Sequence, residues 1–285
     1  MTYQPVVIIG APRSGTNILR DTICKIPGIS SWPCDEINYI WRHGNLSYPS
    51  DEIPATKASS SIKKYIHKSF AYIKKKTESE IIIEKTCANS LRVPFVEAIF
   101  PNAKYIFIIR DGIDVTSSAK KRWTAKIDIT YILKKVPFVP IFDLPYYAIK
   151  YLWVRLYKLI SREKRLAVWG PSLNGMHQIL QKYNLNEVCA LQWQRCVQKS
   201  EDAFSNISSD RVFRVRYENF VNEPKKELSK IQNFIGKKVD PETIDKAIND
   251  VKSEDVGKGR KILNSGEVKE IENLIKDTLQ YYDYL

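Results

Sequence analysis

Residues 5–20 read PVVIIGAPRSGTNILR and contain the transition that decides the fold. The short β-branched run at 5–9 is typical of a buried strand in a parallel sheet. The run ends at Gly10, and apolar residues at helical spacing then predict a helix over 16–26. A strand, a glycine-containing loop and a helix in this order favour an α/β fold with the loop at the carboxyl end of a strand.

The same unit recurs along the chain. Further strands are predicted at 81–83, 104–109 and 212–215, and further helices at 89–99, 112–122, 224–235, 241–250 and 267–280. Strands that alternate with helices imply a central, mostly parallel sheet with right-handed crossovers. The 285 residues suit a single domain that buries its core without disulfides or metals, so we expect one domain over 1–285.

Composition limits the class of protein. Apolar residues make up 44% of the chain and charged residues 27%, as in ordinary folded proteins. The five cysteines are widely spaced and the chain has only three histidines, a pattern that predicts no metal site and suits a reducing compartment. The first strand begins at Pro5, which leaves no room for a signal peptide, and we expect a cytoplasmic location.

Residues 124–168, here called the basic insertion, interrupt the alternation. Between Lys120 and Arg165, twelve Lys or Arg face three acids, so nine of the thirteen net positive charges fall there. The insertion is aromatic, broken by prolines and too short for a membrane span of roughly 20 residues. It is either a lid whose aromatic residues form core or an interfacial element that binds an anionic membrane peripherally. No nucleic-acid partner is expected, because no binding motif accompanies the charge.

The loop at 10–17 keeps part of a nucleotide-phosphate loop. Gly10 and Gly15 have the spacing at which backbone N–H groups cradle phosphates. Thr16-Asn17 stands where magnesium-dependent phosphoryl transfer requires Lys-Ser, which tells against a small-molecule kinase. Arg13 adds a forked positive charge within the loop. The loop therefore predicts a tetrahedral-anion site at a helix N-terminus, with a plain turn as the alternative.

A second anion site is suggested by residues 107–118, FIIRDGIDVTSS. Arg110 stands at the carboxyl end of a predicted strand, and Ser118 lies two turns into the helix that follows. Ligands of parallel sheets bind at these strand ends, so the pair could grip a second phosphate. The alternative is a local salt bridge between Arg110 and Asp111.

Together these stretches resemble the sulfotransferases that use 3′-phosphoadenosine-5′-phosphosulfate (PAPS). Residues 10–17 are similar to the family's 5′-phosphosulfate loop, and Arg110 with Ser118 matches its 3′-phosphate pair. Glu84-Lys85-Thr86 is similar to the family's Lys-Thr element, and 256–261 resembles the basic loop that closes over the nucleotide. The resemblance covers most of the chain outside the basic insertion, and it implies a P-loop-like fold of three layers.

The resemblance implies direct transfer of a sulfuryl group from PAPS, without a metal, to a hydroxyl or amine of an unidentified acceptor such as a saccharide or lipid. Lys85 is the implied donor to the leaving oxygen, Arg13 the partner of the sulfonate and 5′-phosphate, and Glu36 the implied base. The implied PAPS-binding residues are Arg13, Ser14, Gly15, Thr16, Asn17, Arg110, Ser118, Tyr217, Lys258 and Arg260.

The implied base differs from that of the cytosolic small-molecule members of the family. Those enzymes have a histidine two residues after the matching lysine, where this chain has Cys87. Similarity to the tyrosylprotein and glycan-type branches implies a carboxylate instead. Glu36 is favoured, while Asp35 and Glu84 stay open. A non-catalytic nucleotide-binding or membrane-surface protein is the remaining alternative, and the sequence predicts neither the acceptor nor the oligomeric state.

Overall fold

The computed structural model describes residues 3–125, 135–160, 166 and 168–285. Within these ranges the centre is a five-stranded sheet of order β2-β3-β1-β4-β5, in which every pairing is parallel. The strands are β1 Gln4–Ile9, β2 Ile29–Ser30, β3 Ile81–Lys85, β4 Lys104–Ile109 and β5 Val212–Arg216. The expected α/β class and its parallel sheet are confirmed.

Helices connect and flank the strands. In chain order they are α1 Thr16–Ile23, α2 Asn38–Trp41, α3 Ser60–Thr77, α4 Val93–Ile99, α5 Gly112–Trp123, α6 Leu144–Ile160, α7 Met176–Lys182, α8 Leu185–Phe204, α9 Tyr217–Asn222, α10 Pro224–Ile235, α11 Pro241–Ile248, α12 Lys258–Ile262, α13 Ser265–Leu274 and α14 Lys276–Tyr281. The helix predicted at 267–280 is two helices, and the helix predicted at 89–99 starts later because Cys87–Leu91 forms a 3-10 turn. The two-residue strand β2 and helix α3 were not predicted.

Alternation along β1 builds the three layers. Val7 and Ile9 pack into one apolar cluster, while Val6 and Ile8 pack into a second. Successive side chains of a strand point to opposite faces, so these clusters lie on the two sides of the sheet. All four side chains are fully buried.

Sheet register brings the chemistry-bearing segments to one edge. Ile8 of β1 is aligned with Lys85 of β3, and Ile9 of β1 is aligned with Phe107 of β4. The loop after β1, the last residue of β3 and Arg110 directly after β4 therefore leave the sheet at the same carboxyl edge, where ligands of parallel sheets bind.

The basic insertion is described in part. Residues 135–160 form 3-10 turns at Val136–Phe138 and Ile141–Asp143 and then helix α6. Residues 126–134, 161–165 and 167 lie outside the described residues, so the prediction of one continuous lid over 124–168 stays a prediction. None of the described helices is both long enough and apolar enough to cross a bilayer.

Phe70 on α3 is the centre of a buried aromatic group. Its ring centroid lies 4.6 Å from that of Trp32 and 4.5 Å from that of Phe100. Phe70→Ala removes these contacts and leaves a cavity, so we expect the free energy of unfolding to fall by about 3–5 kcal/mol in urea denaturation. Tyr72→Ala on the same helix is the matched control, because Tyr72 is 58% exposed, and it should change stability by less than about 0.5 kcal/mol. Equal losses in the two variants would contradict this assignment.

Candidate active site

The loop between β1 and α1 has a strained backbone. Arg13 adopts a positive φ of 71°, and Gly15 has φ 89°. A Cβ atom on Gly15 would lie 2.3 Å from Cδ2 of Tyr217, so this position requires glycine. Gly15 is also the N-cap of α1 and has no side chain to cap the first turn, which leaves backbone N–H groups free for an anion. Strain of this kind persists where the surrounding structure enforces it, as at ligand sites.

Four of the predicted binding residues contact one another around this loop. Nε of Arg13 donates to Oγ of Ser118 at 2.9 Å. The Arg110 guanidinium lies over the ring of Tyr217, 4.2 Å from its centroid, and also donates to the backbone oxygen of Arg13 at 3.2 Å. The predicted 5′ and 3′ anion positions are therefore neighbours in the fold.

Asp114 on α5 links the basic loop at 256–261 to this cluster by hydrogen bonds. Its carboxylate accepts from Arg110 at 3.3 Å and from the backbone N–H groups of Gly257 at 2.8 Å and Gly259 at 2.6 Å. Asp114 is buried. Sequence reasoning missed this residue, although a carboxylate four positions after Arg110 on a predicted helix was an available signal.

Two predicted PAPS-binding side chains point elsewhere. Nζ of Lys258 donates to Asp255 at 2.9 Å. The guanidinium of Arg260 pairs with Glu272 and donates to the backbone oxygen of Tyr284 at 3.2 Å. Neither side chain lines the cavity described below, and the predicted residues Ser14 and Ser118 do not line it either. Two unpredicted basic residues, Arg122 and Lys252, do line it.

Lys85, the last residue of β3, is held by two carboxylates. Its Nζ donates to Oδ1 of Asp35 at 2.9 Å and to Oε1 of Glu36 at 3.1 Å, and only 3% of the residue is exposed. Burial disfavours the ammonium, but attraction to Glu36 and Asp35 outweighs it, so the pKa of Lys85 lies above its ordinary value. Lys85 therefore carries a full positive charge at neutral pH.

Both carboxylates are ionised in this arrangement. Burial would raise the pKa of Asp35, but Lys85 outweighs it and lowers the pKa to about 2. The pKa of Glu36 is also below its ordinary value, because attraction to Lys85 and to Lys135 of the basic insertion exceeds the effect of burial. Nη1 of Arg20 on α1 donates to the same oxygen of Asp35 as Lys85 does, Oδ1, at 3.2 Å.

Glu84 precedes Lys85 but is fully buried. Its Oε1 accepts from Thr86 at 2.5 Å and its Oε2 from Asn89 at 2.8 Å. Burial raises the pKa of Glu84 to about 7 against these donors, which stabilise the ionised form. That pKa would suit a general base, but a base must first reach its substrate, and Glu84 does not line the cavity.

Cys87 is packed rather than poised as a nucleophile. Burial raises the pKa of its thiol well above the ordinary value, and its Sγ lies 3.7 Å from Oγ1 of Thr16. A neutral thiol is a weak nucleophile, because the thiolate is the reactive form.

A cavity of about 700 Å³ joins these groups, a volume typical of small-molecule sites. Among the predicted site residues, those on its wall are Arg13, Gly15, Thr16, Asn17, Glu36, Lys85, Arg110 and Tyr217, together with the alternative base Asp35. Two buried polar atoms of the predicted binding residues have no hydrogen-bond partner among the described residues, namely Oγ of Ser14 and Nε of Arg110. Buried donors without partners fit a site built for a polar ligand.

The variant Glu84→Gln tests whether the buried carboxyl of Glu84 is protonated. The pKa of Glu84 is about 7 in the folded protein against an ordinary 4.5, so the folded state binds the extra proton between these pH values. This proton therefore adds its full contribution to the free energy of unfolding below pH 4.5, and the contribution is lost as the pH rises through 7. Relative to Glu84→Gln, the wild type should lose about 1–3 kcal/mol of unfolding free energy across this window in urea denaturation.

The exposed Glu270→Gln is the matched control and should follow the wild type. Identical pH dependence in Glu84→Gln and the wild type would mean that Glu84 is ionised throughout the window.

Comparison with known proteins places the chain in a family. The family model for the sulfotransferase domain matches residues 4–279. No curated protein sequence matches the chain significantly. Solved structures that share the fold include the sulfotransferase domain from the curacin biosynthetic pathway, with 16% identity over 97% of this chain and 98% of that one at a TM-score of 0.56. Sulfotransferase STF9 from Mycobacterium avium has 12% identity over 99% of this chain and 78% of that one, at a TM-score of 0.57. Mouse sulfotransferase SULT7A1 complexed with PAP has 15% identity over 97% of this chain and 85% of that one, at a TM-score of 0.51.

These structural likenesses concern the fold, since the identities are low. The family match extends over nearly the whole sequence. The enzyme class expected from the sequence is confirmed: this chain belongs to the sulfotransferase domain family.

Proposed function

We propose that this chain transfers the sulfuryl group of PAPS directly to a hydroxyl or amine of an acceptor. The observation that carries the proposal is the position of Lys85. Its buried ammonium stands on the wall of the cavity that also contains the anion loop and Arg110. A positive donor held next to a loop for tetrahedral anions is what a leaving phosphate oxygen needs.

The binding residues fit a ligand with two separate anionic ends. The loop N–H groups and Arg13 would hold the phosphosulfate, and Arg110 would hold the 3′-phosphate. Nε of Arg110 and Oγ of Ser14 are buried without partners among the described residues, which leaves donors for this ligand. Ser118 already accepts a hydrogen bond from Arg13 and so fixes the direction of that guanidinium.

The transfer itself requires charge stabilisation more than covalent chemistry. As the sulfur–oxygen bond to the 5′-phosphate breaks, a bond forms from sulfur to the acceptor oxygen or nitrogen, and the acceptor proton passes to a carboxylate. Negative charge grows on the leaving oxygen, where Lys85 would donate. By analogy with phosphoryl transfer, positioning and electrostatics provide most of the rate.

Glu36 is the proposed base. Its pairing with Lys85 couples removal of the acceptor proton to stabilisation of the leaving oxygen. While Lys85 donates to Glu36, the positive charge holds the pKa of Glu36 low and makes it a weak base. When Lys85 turns its donor to the leaving oxygen, Glu36 loses much of that attraction and its proton affinity rises. The base therefore strengthens at the moment when the leaving group is stabilised.

The proposal is tested by binding and turnover together. Calorimetry should show that the chain binds 3′,5′-ADP, and incubation with labelled PAPS and fractionated extract should yield a labelled product that mass spectrometry identifies. The small-molecule kinase is disfavoured by Thr16-Asn17. Binding of 3′,5′-ADP without any labelled product would instead support the non-catalytic alternative.

Lys85→Ala should reduce turnover by about 10²- to 10³-fold, the usual loss when one well-placed donor to a developing anion is removed. Binding of 3′,5′-ADP should stay within a few-fold of the wild type, because Arg110 and the loop remain. Turnover is measured with labelled PAPS and binding by calorimetry. Lys246→Ala, which removes a surface lysine paired with Glu242, is the matched control. Near-normal turnover in Lys85→Ala would refute the assigned role.

Glu36→Gln and Asp35→Asn separate the two candidate bases. We expect the acidic limb of the pH profile of kcat/KM to disappear in Glu36→Gln, because no group with its pKa then accepts the acceptor proton. Asp35→Asn should keep that limb, although it weakens the hold on Lys85. The reverse pattern would transfer the role to Asp35.

A further inference from the structure

Helix α6 carries an exposed apolar stripe. Ile149 and Trp153 are 69% and 61% exposed, and Phe142, in the turn before the helix, is 91% exposed. The stripe consists of Ile141, Phe142, Ile149, Leu152, Trp153 and Leu156. The helical members have the spacing of one face, and contiguous apolar surface of this kind is uncommon on proteins that bind nothing there.

The other side of α6 is fixed to the body of the protein. Oη of Tyr146 donates to the backbone oxygen of Leu46 at 3.0 Å, and the ring of Tyr147 packs edge-on against Tyr39 at 6.4 Å. Directly before the helix, Asp143 is buried and lies 2.8 Å from Nδ1 of His43. The stripe is therefore the outward face of an anchored helix rather than the inward face of a detached one.

Charge identifies the occupant of this face. The stripe lies within the basic insertion, whose residues 124–168 contain nine Lys or Arg against three acids, a net charge of +6. Apolar and aromatic side chains flanked by lysine and arginine are the composition of helices that lie in the interface of an anionic bilayer. A second copy of this chain would bring the same positive charge against itself and be repelled.

We propose that the apolar stripe docks on an anionic membrane surface, with α6 lying in the interface. The inference stands independently of the proposed function. The stripe is connected to the cavity through the chain on either side of it. The backbone N–H of Leu166 donates to the backbone oxygen of Trp123 at 3.0 Å, and Ala125 and Leu166 both line the cavity. The segment that carries the stripe therefore leaves and returns at the cavity wall.

Vesicle co-sedimentation of the full chain tests the docking. We expect binding to vesicles of phosphatidylcholine with phosphatidylglycerol, little binding to phosphatidylcholine alone, and weakening by salt. The double variant Ile149→Ser/Trp153→Ser should reduce partitioning at least about tenfold, because it removes two central apolar groups of the stripe. The control Tyr72→Ser/Tyr281→Ser replaces two exposed aromatic residues outside the stripe and should bind as the wild type does.

Each other outcome overturns the proposal. If the wild type stays in the supernatant with anionic vesicles, or if the stripe variant binds them as well as the control does, this face does not dock on a membrane. If the wild type is a dimer in analytical ultracentrifugation and the stripe variant is a monomer, the face binds a second copy of the chain instead. Thermal unfolding of both variants should match the wild type, since all four side chains are exposed.

Discussion

Lys85 carries a positive charge where little water reaches it, and the carboxylates of Asp35 and Glu36 neutralise that charge. An isolated buried cation costs several kcal/mol, so the segment after β2 must return to the end of β3 to supply both partners. Arg20 of α1 also holds Asp35, which ties the first helix into the same group. One charge therefore sets the mutual positions of three segments around the cavity.

The cavity wall carries charged side chains of both signs. Arg13 and Arg110 converge at the loop of residues 10–17, and Tyr217 packs against Arg110. Asp35, Glu36, Asp250 and Asp255 also lie on the wall, and Asp35 and Glu36 both pair with Lys85. One buried ammonium therefore pairs with two of the four carboxylates on this wall.

Local sequence patterns were enough to predict the sheet, but they did not predict contacts between segments that are distant in sequence. The strands at 81–83, 104–109 and 212–215 were found because β-branched runs bounded by turns carry their own signal. Helix α3 was missed although Ile62, Ile66, Phe70 and Ile73 have helical spacing. Residues 36 and 85 are far apart in sequence, and their contact depends on a loop path that no local pattern encodes. Resemblance likewise located Arg260 in the chain but not the direction of its side chain, which neighbouring acids decide.

The carboxylate of Asp114 joins Arg110 to backbone N–H groups of residues 257 and 259, which come some 145 positions later in the chain. This closure has a consequence for biosynthesis. The sheet and its first loop can assemble while the ribosome is still translating, but Asp114 lacks its backbone partners until residues 257 and 259 have been synthesised. Affinity for the nucleotide should therefore arise abruptly and late, so ligand cannot stabilise the partly synthesised chain. Folding up to that stage therefore depends on contacts within the chain itself.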